Sequence, residues 1–423
     1  MGAERGPASG RPLRICVDAR IADGEHGGIQ QFILGLAHGL SSLPEGDEEY
    51  VFLSLGGRDG WLAPHVGGRC RLVHVESLSR TARARSLVRR LPGLSRLWRA
   101  ARGQAVPAPV ASSDGTVERL GAEVMHFTYQ RAFLTRVPFV YHPHDLQHVH
   151  CPGYFTPLVR SERERDYRLF CEAAAAVAVA SSWVKEDVVR QYQLPPEKVV
   201  VIPFAPPNAN YAALPPDEEA AFVRARGLPE RFVLYSAQTW PHKNHVGLLE
   251  ALALLRARGL AVPAVFTGQQ NEFFSTIRMR VVELGLEDQV RFLGFVTPSE
   301  MQTLYRRATA VVVPSLFEAG SFPLWEAMLA GVPAACSNVT SLPRQAGDGA
   351  LLFDPRDPSA IAGAVERLWR DDALRAELAR RGRENVARFS WPETARRFRA
   401  LYRRVAGRAA AADEALLRAE PLL

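Results

Sequence analysis

One stretch of the sequence, residues 311–355, constrains the fold more than any other. Its β-branched run at 311–313 is typical of a parallel strand buried on both faces. Pro314 and Ser315 end that run, and a loop follows as far as residue 321. Pro323 suits the first turn of a helix, and Gly331 suits its left-handed C-terminal cap. The sequence PAACS then predicts another strand, so the stretch is predicted to form a strand–loop–helix–strand unit.

Two carboxylates are the chemically suggestive groups of this unit. Glu318 lies in the loop beside the small residues Ala319, Gly320 and Ser321, and Glu326 follows eight residues later, in what we expect to be the first helical turn. The N–H groups of a helix N-terminus bind anions, and carboxylates accept hydrogen bonds from hydroxyls. The alternative is a solvated loop acid and an acid that only complements the helix dipole. The small residues favour a ligand, since they let it approach the backbone.

The unit resembles the donor-site signature of the retaining glycosyltransferases of family 4, which have the GT-B fold. The matching segments are FE, P-L-x-E-A-M, G-V-P, S-N and L-L-F-D-P, in that order. Much of the family has the sequence EGFGLPVLEAM where this chain has EAGSFPLWEAM. The sequence found here is similar to that of a bacterial branch that builds cell-surface polysaccharides. The resemblance implies that Glu326 holds the donor ribose and Glu318 the donor sugar, with the base near Gly294 and Phe295.

Length and composition predict two α/β domains. The chain has 423 residues, 47% of them hydrophobic and 23% charged, which is long for one core and ordinary for a globular protein. Strands alternate with helices in both halves, so we predict two doubly wound, Rossmann-like sheets that face each other across a cleft. The predicted parts are a disordered lead-in (1–12), an N-terminal domain (13–205), a proline-rich linker (206–228), a C-terminal domain (229–385) and helices that return to the first domain (386–423).

The apolar runs, the cysteines and the net charge bear on where the protein is located and what it binds. No apolar run approaches the length of a membrane span, and the N-terminus lacks the apolar core of a signal peptide. Five cysteines without a C-x-x-C pair indicate a reducing cytoplasm. The net charge of +7 favours acidic partners such as nucleotides, anionic lipid or nucleic acid.

Residues 77–113 form a basic segment with eight arginines and no acidic residue. Leucines and Trp98 recur in it at helical spacing, interrupted by Pro92 and Gly93. This composition predicts an amphipathic hairpin that contacts an anionic membrane through residues 80–102. The alternative is a solvated arginine face over an ordinary packed helix. Nucleic-acid binding is disfavoured, because the aromatic residues of a base-stacking platform are missing.

Two short segments could hold phosphate. Gly27 and Gly28 precede an apolar helix and would bring backbone N–H groups close to a phosphate, although they also suit a plain strand–helix turn. Lys243, one of only three lysines, lies at a helix start and would clamp phosphate, or would be an ordinary solvated residue. With Asn244 it resembles the diphosphate-binding K-N motif of family 4. The arginine common in that family five residues earlier is here Gln238, so the second cationic clamp is missing or comes from elsewhere.

Residues 142–150 contain four histidines and Asp145. Their spacing differs from the H-x-H-x-D-H of metallohydrolases, and we expect no metal site. HDLQH followed by P-x-Y-F resembles the family 4 segment in which a histidine at a strand end faces the sugar, here His144. The alternative is a structural histidine that caps the strand.

Together these features predict a metal-independent, retaining hexosyltransferase, cytoplasmic or peripheral at the inner face of the membrane. It would move a mannose-like sugar from a nucleoside diphosphate sugar to a glycan or lipid-linked acceptor, without a cofactor. The alternatives are a GT-B sugar-nucleotide 2-epimerase and a non-catalytic protein that binds anionic membrane or nucleic acid. The candidate catalytic residues are His144, Lys243 and Glu318; the candidate donor-binding residues are Gly27, Gly28, Gln238, Lys243, Asn244, Gly294, Phe295, Glu318, Ala319, Gly320, Ser321, Phe322 and Glu326.

Overall fold

The computed structural model describes residues 11–24, 27–76, 78, 108–207, 212–420 and 422–423. The predicted basic hairpin falls almost entirely outside these residues, as does most of the predicted N-terminal lead-in. Among the described helices, none combines the length and the apolar character needed to cross a membrane.

The first domain is built on a seven-stranded parallel sheet with the strand order β3-β2-β1-β4-β5-β6-β7. Most of its strand residues are buried, as expected of a sheet with helices on both faces. The strand order changes direction between β1 and β4. Ligands bind at such a switch point in parallel α/β sheets. The strands are β1 (Leu13–Asp18), β2 (Glu48–Ser54), β3 (Cys70–His74), β4 (Val124–Phe127), β5 (Phe139–Tyr141), β6 (Ala176–Val179) and β7 (Val199–Val201).

Five described helices accompany this sheet. Three of them begin beside the carboxyl ends of strands and matter for the site: α1, α3 and α5. Ser181 caps α5, where its side chain accepts a hydrogen bond from the N–H of Val184. The helices are α1 (Gly27–Ser41), α2 (Thr116–Arg119), α3 (Gln147–His150), α4 (Pro157–Ala173) and α5 (Ser182–Tyr192).

The predicted linker, residues 206–228, contains a helix of its own, α6 (Pro216–Ala225). Beyond it, the second domain has a six-stranded parallel sheet with the order β10-β9-β8-β11-β12-β13. The strands are β8 (Val233–Ser236), β9 (Ala264–Thr267), β10 (Val290–Phe292), β11 (Ala310–Val313), β12 (Ala334–Ser337) and β13 (Ala350–Phe353). Both sheets therefore agree with the predicted Rossmann-like architecture.

The helices of the second domain alternate with these strands, and residues 311–355 form the predicted strand–loop–helix–strand unit. The chain after residue 371 forms two long helices and a short one. The helices are α7 (His245–Ala257), α8 (Phe274–Glu283), α9 (Pro298–Arg307), α10 (Phe322–Ala330), α11 (Leu342–Ala346), α12 (Pro358–Arg370), α13 (Asp372–Val386), α14 (Trp391–Val405) and α15 (Ala411–Arg418).

Helix α14 returns to the first domain and packs against α1. A Cβ at Gly35 of α1 would lie 1.9 Å from the Trp391 ring, so only glycine allows the two helices this approach. The indole of Trp391 donates to the carbonyl of Pro206 at 2.8 Å, and the hydroxyl of Thr394 donates to that of Pro203 at 2.8 Å. The second domain is thus joined to the first by α14 as well as by the linker.

Candidate functional site

Glu318 lies directly beyond the carboxyl end of β11 and is 7% exposed. Its Oε1 accepts hydrogen bonds from Nζ of Lys243 at 2.6 Å and from the hydroxyl of Ser315 at 2.7 Å. A charged carboxylate is stable at this depth because both a cation and a hydroxyl contact it. The ion pair brings together two predicted catalytic residues that are 75 positions apart in the chain.

The loop after Glu318 is held by a buried amide from another helix. Gln345 of α11 accepts a hydrogen bond from the N–H of Ser321 at 2.8 Å and donates to its carbonyl at 2.6 Å. The side chain of Ser321 is left without a hydrogen-bond partner among the described residues, although this residue precedes the first residue of α10. The N-terminus of α10 is therefore anchored through the backbone.

Glu326 is the fifth residue of α10, which begins at Phe322, so the expectation that it lies in the first helical turn was wrong. It follows the first four residues of the helix, so it lies just past the first turn, in which the dipole argument is strongest. Its Oε2 accepts a hydrogen bond from the hydroxyl of Tyr305 on α9 at 2.6 Å. Tyr305 thus orients this carboxylate.

Lys243 precedes α7 and reaches into the cleft, whereas Asn244 does not. Asn244 has a φ of 56° and caps α7, since its Oδ1 accepts from the N–H of Gly247 at 3.2 Å. Its Nδ2 donates hydrogen bonds to the carbonyls of Pro314 at 3.0 Å and Pro355 at 2.8 Å. The side chain of Asn244 is fully occupied in holding the lysine loop against the ends of two strands.

Gly27 and Gly28 begin α1 and face the second domain across the cleft. A Cβ on Gly27 would lie 3.9 Å from Nε2 of Gln238, and a Cβ on Gly28 would lie 3.9 Å from the ring of Phe322. Both glycines line the same cavities as Lys243, so this helix N-terminus, with its free N–H groups, adjoins the lysine across the cleft. This arrangement favours an anionic ligand at the domain interface.

His144 lies at the carboxyl end of β5 with a φ of 63°, a rare conformation outside glycine. Its Nε2 lies 2.7 Å from the carbonyl of Thr128, so Nε2 carries the proton and Nδ1 is the acceptor. Its ring stacks on that of His142 at a centroid distance of 4.3 Å. Burial lowers the pKa of His144 to about 4, so the ring is neutral at pH 7.

The other histidines of this segment have separate partners. His148 lies 3.2 Å from Glu164, and His150 lies 2.7 Å from Asp187. No group of three histidine, cysteine or acidic side chains that could hold a metal ion is found within the described part of the chain.

The singled-out residues line two cavities that share a boundary. The first, of about 770 Å³, lies between α1 and the second sheet. The second, of about 610 Å³, extends toward β5 and α4 and reaches His144, Asp145 and Arg163. Because Gly28, Lys243, Glu318 and Phe322 line both, the two cavities form one cleft at the carboxyl ends of both sheets. The predicted site residues that line one or both are Gly27, Gly28, His144, Gln238, Lys243, Phe295, Glu318, Ala319, Gly320, Ser321, Phe322 and Glu326; Asn244 and Gly294 do not.

Trp240 and Arg163 are cleft residues that the sequence patterns did not single out. Trp240 lines both cavities, is 42% exposed, and donates its indole proton to Oε1 of Gln238 at 2.7 Å. Arg163 lines the second cavity, and its guanidinium lies over the ring of Phe155. Trp240 falls within WPHKNH, so an exposed aromatic beside the lysine was the available sequence signal. Arg163 is one arginine among many, and its sequence context does not distinguish it.

Comparison with protein families agrees with this arrangement in both halves of the chain. Residues 26–204 match the model of Glycosyltransferase Family 4, and residues 217–385 match that of Glycosyl transferases group 1.

Two curated relatives illustrate the similarity. O-antigen chain mannosyltransferase B of Escherichia coli is 30% identical over 251 residues, which are 59% of this chain and 65% of that protein. D-inositol 3-phosphate glycosyltransferase of Corynebacterium glutamicum is 29% identical over 284 residues, 64% of this chain and 67% of that protein. The chain therefore spans about two thirds of the length of these relatives.

Solved structures with this fold include a sucrose-phosphate synthase from Thermosynechococcus elongatus, with a TM-score of 0.67, 20% identity, and coverage of 93% of this chain and 99% of that chain. Anabaena Alr3699/HepE in complex with UDP and glucose has a TM-score of 0.68 and 18% identity, and covers 92% and 99%. At sequence identities of 20% and 18%, these two structures are evidence for the fold alone. With both family models matched in order and the GT-B architecture in place, the chain belongs to the family 4 glycosyltransferases.

Proposed function

We propose that this enzyme moves a hexose, with retention of the anomeric configuration, from a nucleoside diphosphate sugar to a hydroxyl of a glycan or lipid-linked acceptor. One observation carries the proposal: Lys243, Glu318 and Glu326 line a single cavity opposite the N-terminus of α1. That cavity offers positive charge for a pyrophosphate and carboxylates for the hydroxyls on either side of it.

In the proposed donor complex, Lys243 stabilises the negative charge that develops on the β-phosphate as the bond to the sugar breaks. Its ammonium has three protons, so it can donate to phosphate while it keeps its bond to Glu318. The N–H groups at the starts of α1 and α10 add positive potential. Because protein groups supply this positive charge, the proposed reaction requires no metal ion.

The sugar and the ribose are proposed to lie on opposite sides of the lysine. Glu326, oriented by Tyr305, accepts hydrogen bonds from the ribose hydroxyls, and Glu318 accepts them from the sugar. His144 presents its Nδ1 lone pair to a hydroxyl of the sugar or the acceptor, since its other nitrogen is bonded to the carbonyl of Thr128. The second cavity, beyond His144, is proposed to hold the acceptor.

The sugar is proposed to be mannose-like. One relative is named O-antigen chain mannosyltransferase B, and another, 30% identical over 231 residues, is a serotype-specific mannosyltransferase. GDP-mannose is therefore the first donor to test. The HepE structure holds UDP and glucose, which makes UDP-glucose the matched comparison.

Contact with an anionic membrane through residues 80–102 is a separate proposal that rests on their eight arginines. Flotation with vesicles of phosphatidylglycerol should recover the protein, and vesicles of phosphatidylcholine should not. Equal recovery with both would contradict the proposal.

A thermal-shift screen with GDP-, UDP-, ADP- and dTDP-sugars tests the donor assignment, because a ligand that binds the native state raises the melting temperature. Lys243→Ala and Glu326→Ala should each abolish the shift and reduce transfer by a factor on the order of 10² or more. Lys198→Ala, at a lysine outside the cleft, should behave as wild type. Wild-type rates of transfer in both cleft variants would overturn the assignment of the donor site. A separate NMR measurement of the anomeric configuration of the product tests retention.

A further inference from the structure

The loop that carries Glu318 contacts the first domain through Phe317. The ring of Phe317, the residue before Glu318, stacks on His150 of α3 at a centroid distance of 5.5 Å. Trp183 of α5 meets the same ring edge-on at 5.8 Å. Phe317 is only 4% exposed, so the first domain covers the side chain next to the candidate catalytic carboxylate.

A buried hydrogen bond joins the two domains nearby. The hydroxyl of Ser341, at the start of α11, lies 2.9 Å from that of Ser181, which caps α5 in the first domain. Both serines are 2% exposed or less. The backbone N–H of Ser341 also donates to the carbonyl of Glu318 at 3.4 Å. A single residue therefore contacts both the first domain and the backbone of Glu318.

Thr340, the residue before Ser341, binds that backbone more closely. Its hydroxyl accepts from the N–H of Glu318 at 3.1 Å and donates to the carbonyl of the same residue at 2.5 Å. Its φ is 53°, which is a strained conformation for a β-branched residue. Such strain persists only where surrounding contacts maintain it, and here those contacts are the two bonds to Glu318 and the adjacent bond to Ser181.

The groups proposed to hold the nucleotide have partners within the second domain. The backbone of Lys243 is bound by the hydroxyl of Tyr235 at 2.8 Å, and Glu326 is bound by Tyr305. These partners all belong to the second domain. The contacts of Phe317 and Ser341 with the first domain therefore bear directly on the Glu318 loop, and on Lys243 only through its ion pair with Glu318.

We infer that Thr340, Ser341 and Phe317 are positioning residues through which the first domain sets the position of Glu318. The inference rests on the proposed function, in which Glu318 contacts the donor sugar. Its consequence is specific: loss of these contacts should weaken binding of the nucleoside diphosphate sugar more than binding of the nucleoside diphosphate.

Calorimetric titration of variants tests this inference. The probes are the sugar nucleotide that binds wild type most tightly in the screen and its parent diphosphate. Thr340→Val, which keeps the side-chain shape without the hydroxyl, and Ser341→Ala should each weaken the sugar nucleotide by about five- to tenfold. Affinity for the diphosphate should change by less than about twofold, and Thr340→Ser should restore the sugar-nucleotide affinity.

The matched control is Glu186→Gln. Glu186 of α5 lies 3.6 Å from Arg344, across the same interface, but in an exposed pair that does not touch the Glu318 loop. It should bind both probes as wild type does. Equal weakening of both probes in Thr340→Val and Ser341→Ala, or no weakening of either, would overturn the inference while wild-type binding upholds the proposed function. Failure of wild type to bind any sugar nucleotide would overturn both.

Discussion

The ammonium of Lys243 lies 2.6 Å from Oε1 of Glu318, and the side chains of the pair are 22% and 8% exposed. The two residues come from different strand–helix connections of the second sheet, one after β8 and the other after β11. The pair neutralises the centre of the cleft before any ligand arrives. It also makes each member depend on the other for stability.

The first prediction concerns this dependence. Lys243→Met should lower the free energy of unfolding by about 3 kcal/mol, because it leaves the buried Glu318 carboxylate without its cation. Adding Glu318→Gln should restore most of that loss. Urea unfolding of the two single variants, the double variant and the control Lys198→Met gives the coupling energy. Additive effects of the two substitutions would show that the ion pair does not contribute.

The second prediction tests whether Gly28 is a glycine because a ligand approaches its backbone and not because the fold requires it. Gly28→Ala should leave the unfolding midpoint no lower than in wild type, because the new Cβ meets only the Phe322 ring at an ordinary 3.9 Å. It should weaken donor binding about tenfold or more if a phosphate approaches this backbone. Gly363→Ala, in the middle of α12 with open space around it, is the control and should only stabilise. Unchanged donor affinity in Gly28→Ala would remove α1 from the donor site.

The third prediction concerns Gln238, which lines both cavities where the family commonly has arginine. Gln238→Arg places a second cation beside Lys243 and should tighten binding of the nucleoside diphosphate by about three- to tenfold at low salt. The gain should shrink as the salt concentration rises, since the added attraction is electrostatic. Gln238→Leu should show no gain. Weaker binding by the arginine variant would indicate that Gln238 itself contacts the donor.

The fourth prediction is acid sensitivity caused by buried neutral histidines. Burial lowers the pKa of His126 and of His245 to about 3, and that of His144 to about 4. Between these values and about 6.5 the unfolded chain binds protons that the folded chain does not, so stability falls as the pH falls through this range. Each such histidine contributes a slope of about 1.4 kcal/mol per pH unit.

His245→Leu tests this account. Both ring nitrogens of His245 lack a hydrogen-bond partner among the described residues, so the substitution removes no hydrogen bond at pH 7. Urea midpoints at pH 7, 6 and 5 should show a shallower decline than in wild type. His74→Leu, at an exposed histidine, is the control. An unchanged slope in His245→Leu would mean that this imidazole takes up its proton without unfolding.

The fifth prediction is that EDTA leaves the rate of transfer unchanged. In the proposed mechanism Lys243 and two helix N-termini supply the positive charge at the pyrophosphate. Transfer measured with and without EDTA, and again after addition of Mg²⁺ or Mn²⁺, provides the check. A loss of activity that Mg²⁺ or Mn²⁺ restores would contradict a metal-independent mechanism.

Much of the fold could be predicted because its causes are local. The run 311–313, Pro323 and Gly331 lie within one short stretch, and each constrains the backbone of its own neighbourhood. Convergence of Lys243, Glu318 and Glu326 on one cleft was also predictable, since the carboxyl ends of parallel strands lie at one edge of a sheet.

The hydrogen-bond partners of individual side chains were not predictable in the same way. Asn244 follows Lys243 and shares its motif, yet its amide is bonded to carbonyls 70 and 111 residues away. Glu326 was placed slightly too early in its helix, because helix starts are the least certain part of a sequence pattern. Nothing in the sequence around Thr340 and Ser341 indicates that they bind Glu318.

The sequence by itself determined the two parallel sheets, because backbone preferences and hydrophobic periodicity act over a few residues. The resemblance of its motifs to family 4 indicated the family and the loop acids and lysine of the cleft. Only the tertiary structure decided which side chains face the ligand space and which hold others in place. The hydrogen bond between Ser181 and Ser341 joins residues 160 positions apart in different domains. Hydrogen bonds act over about 3 Å, so such a contact exists only once both domains have folded and met.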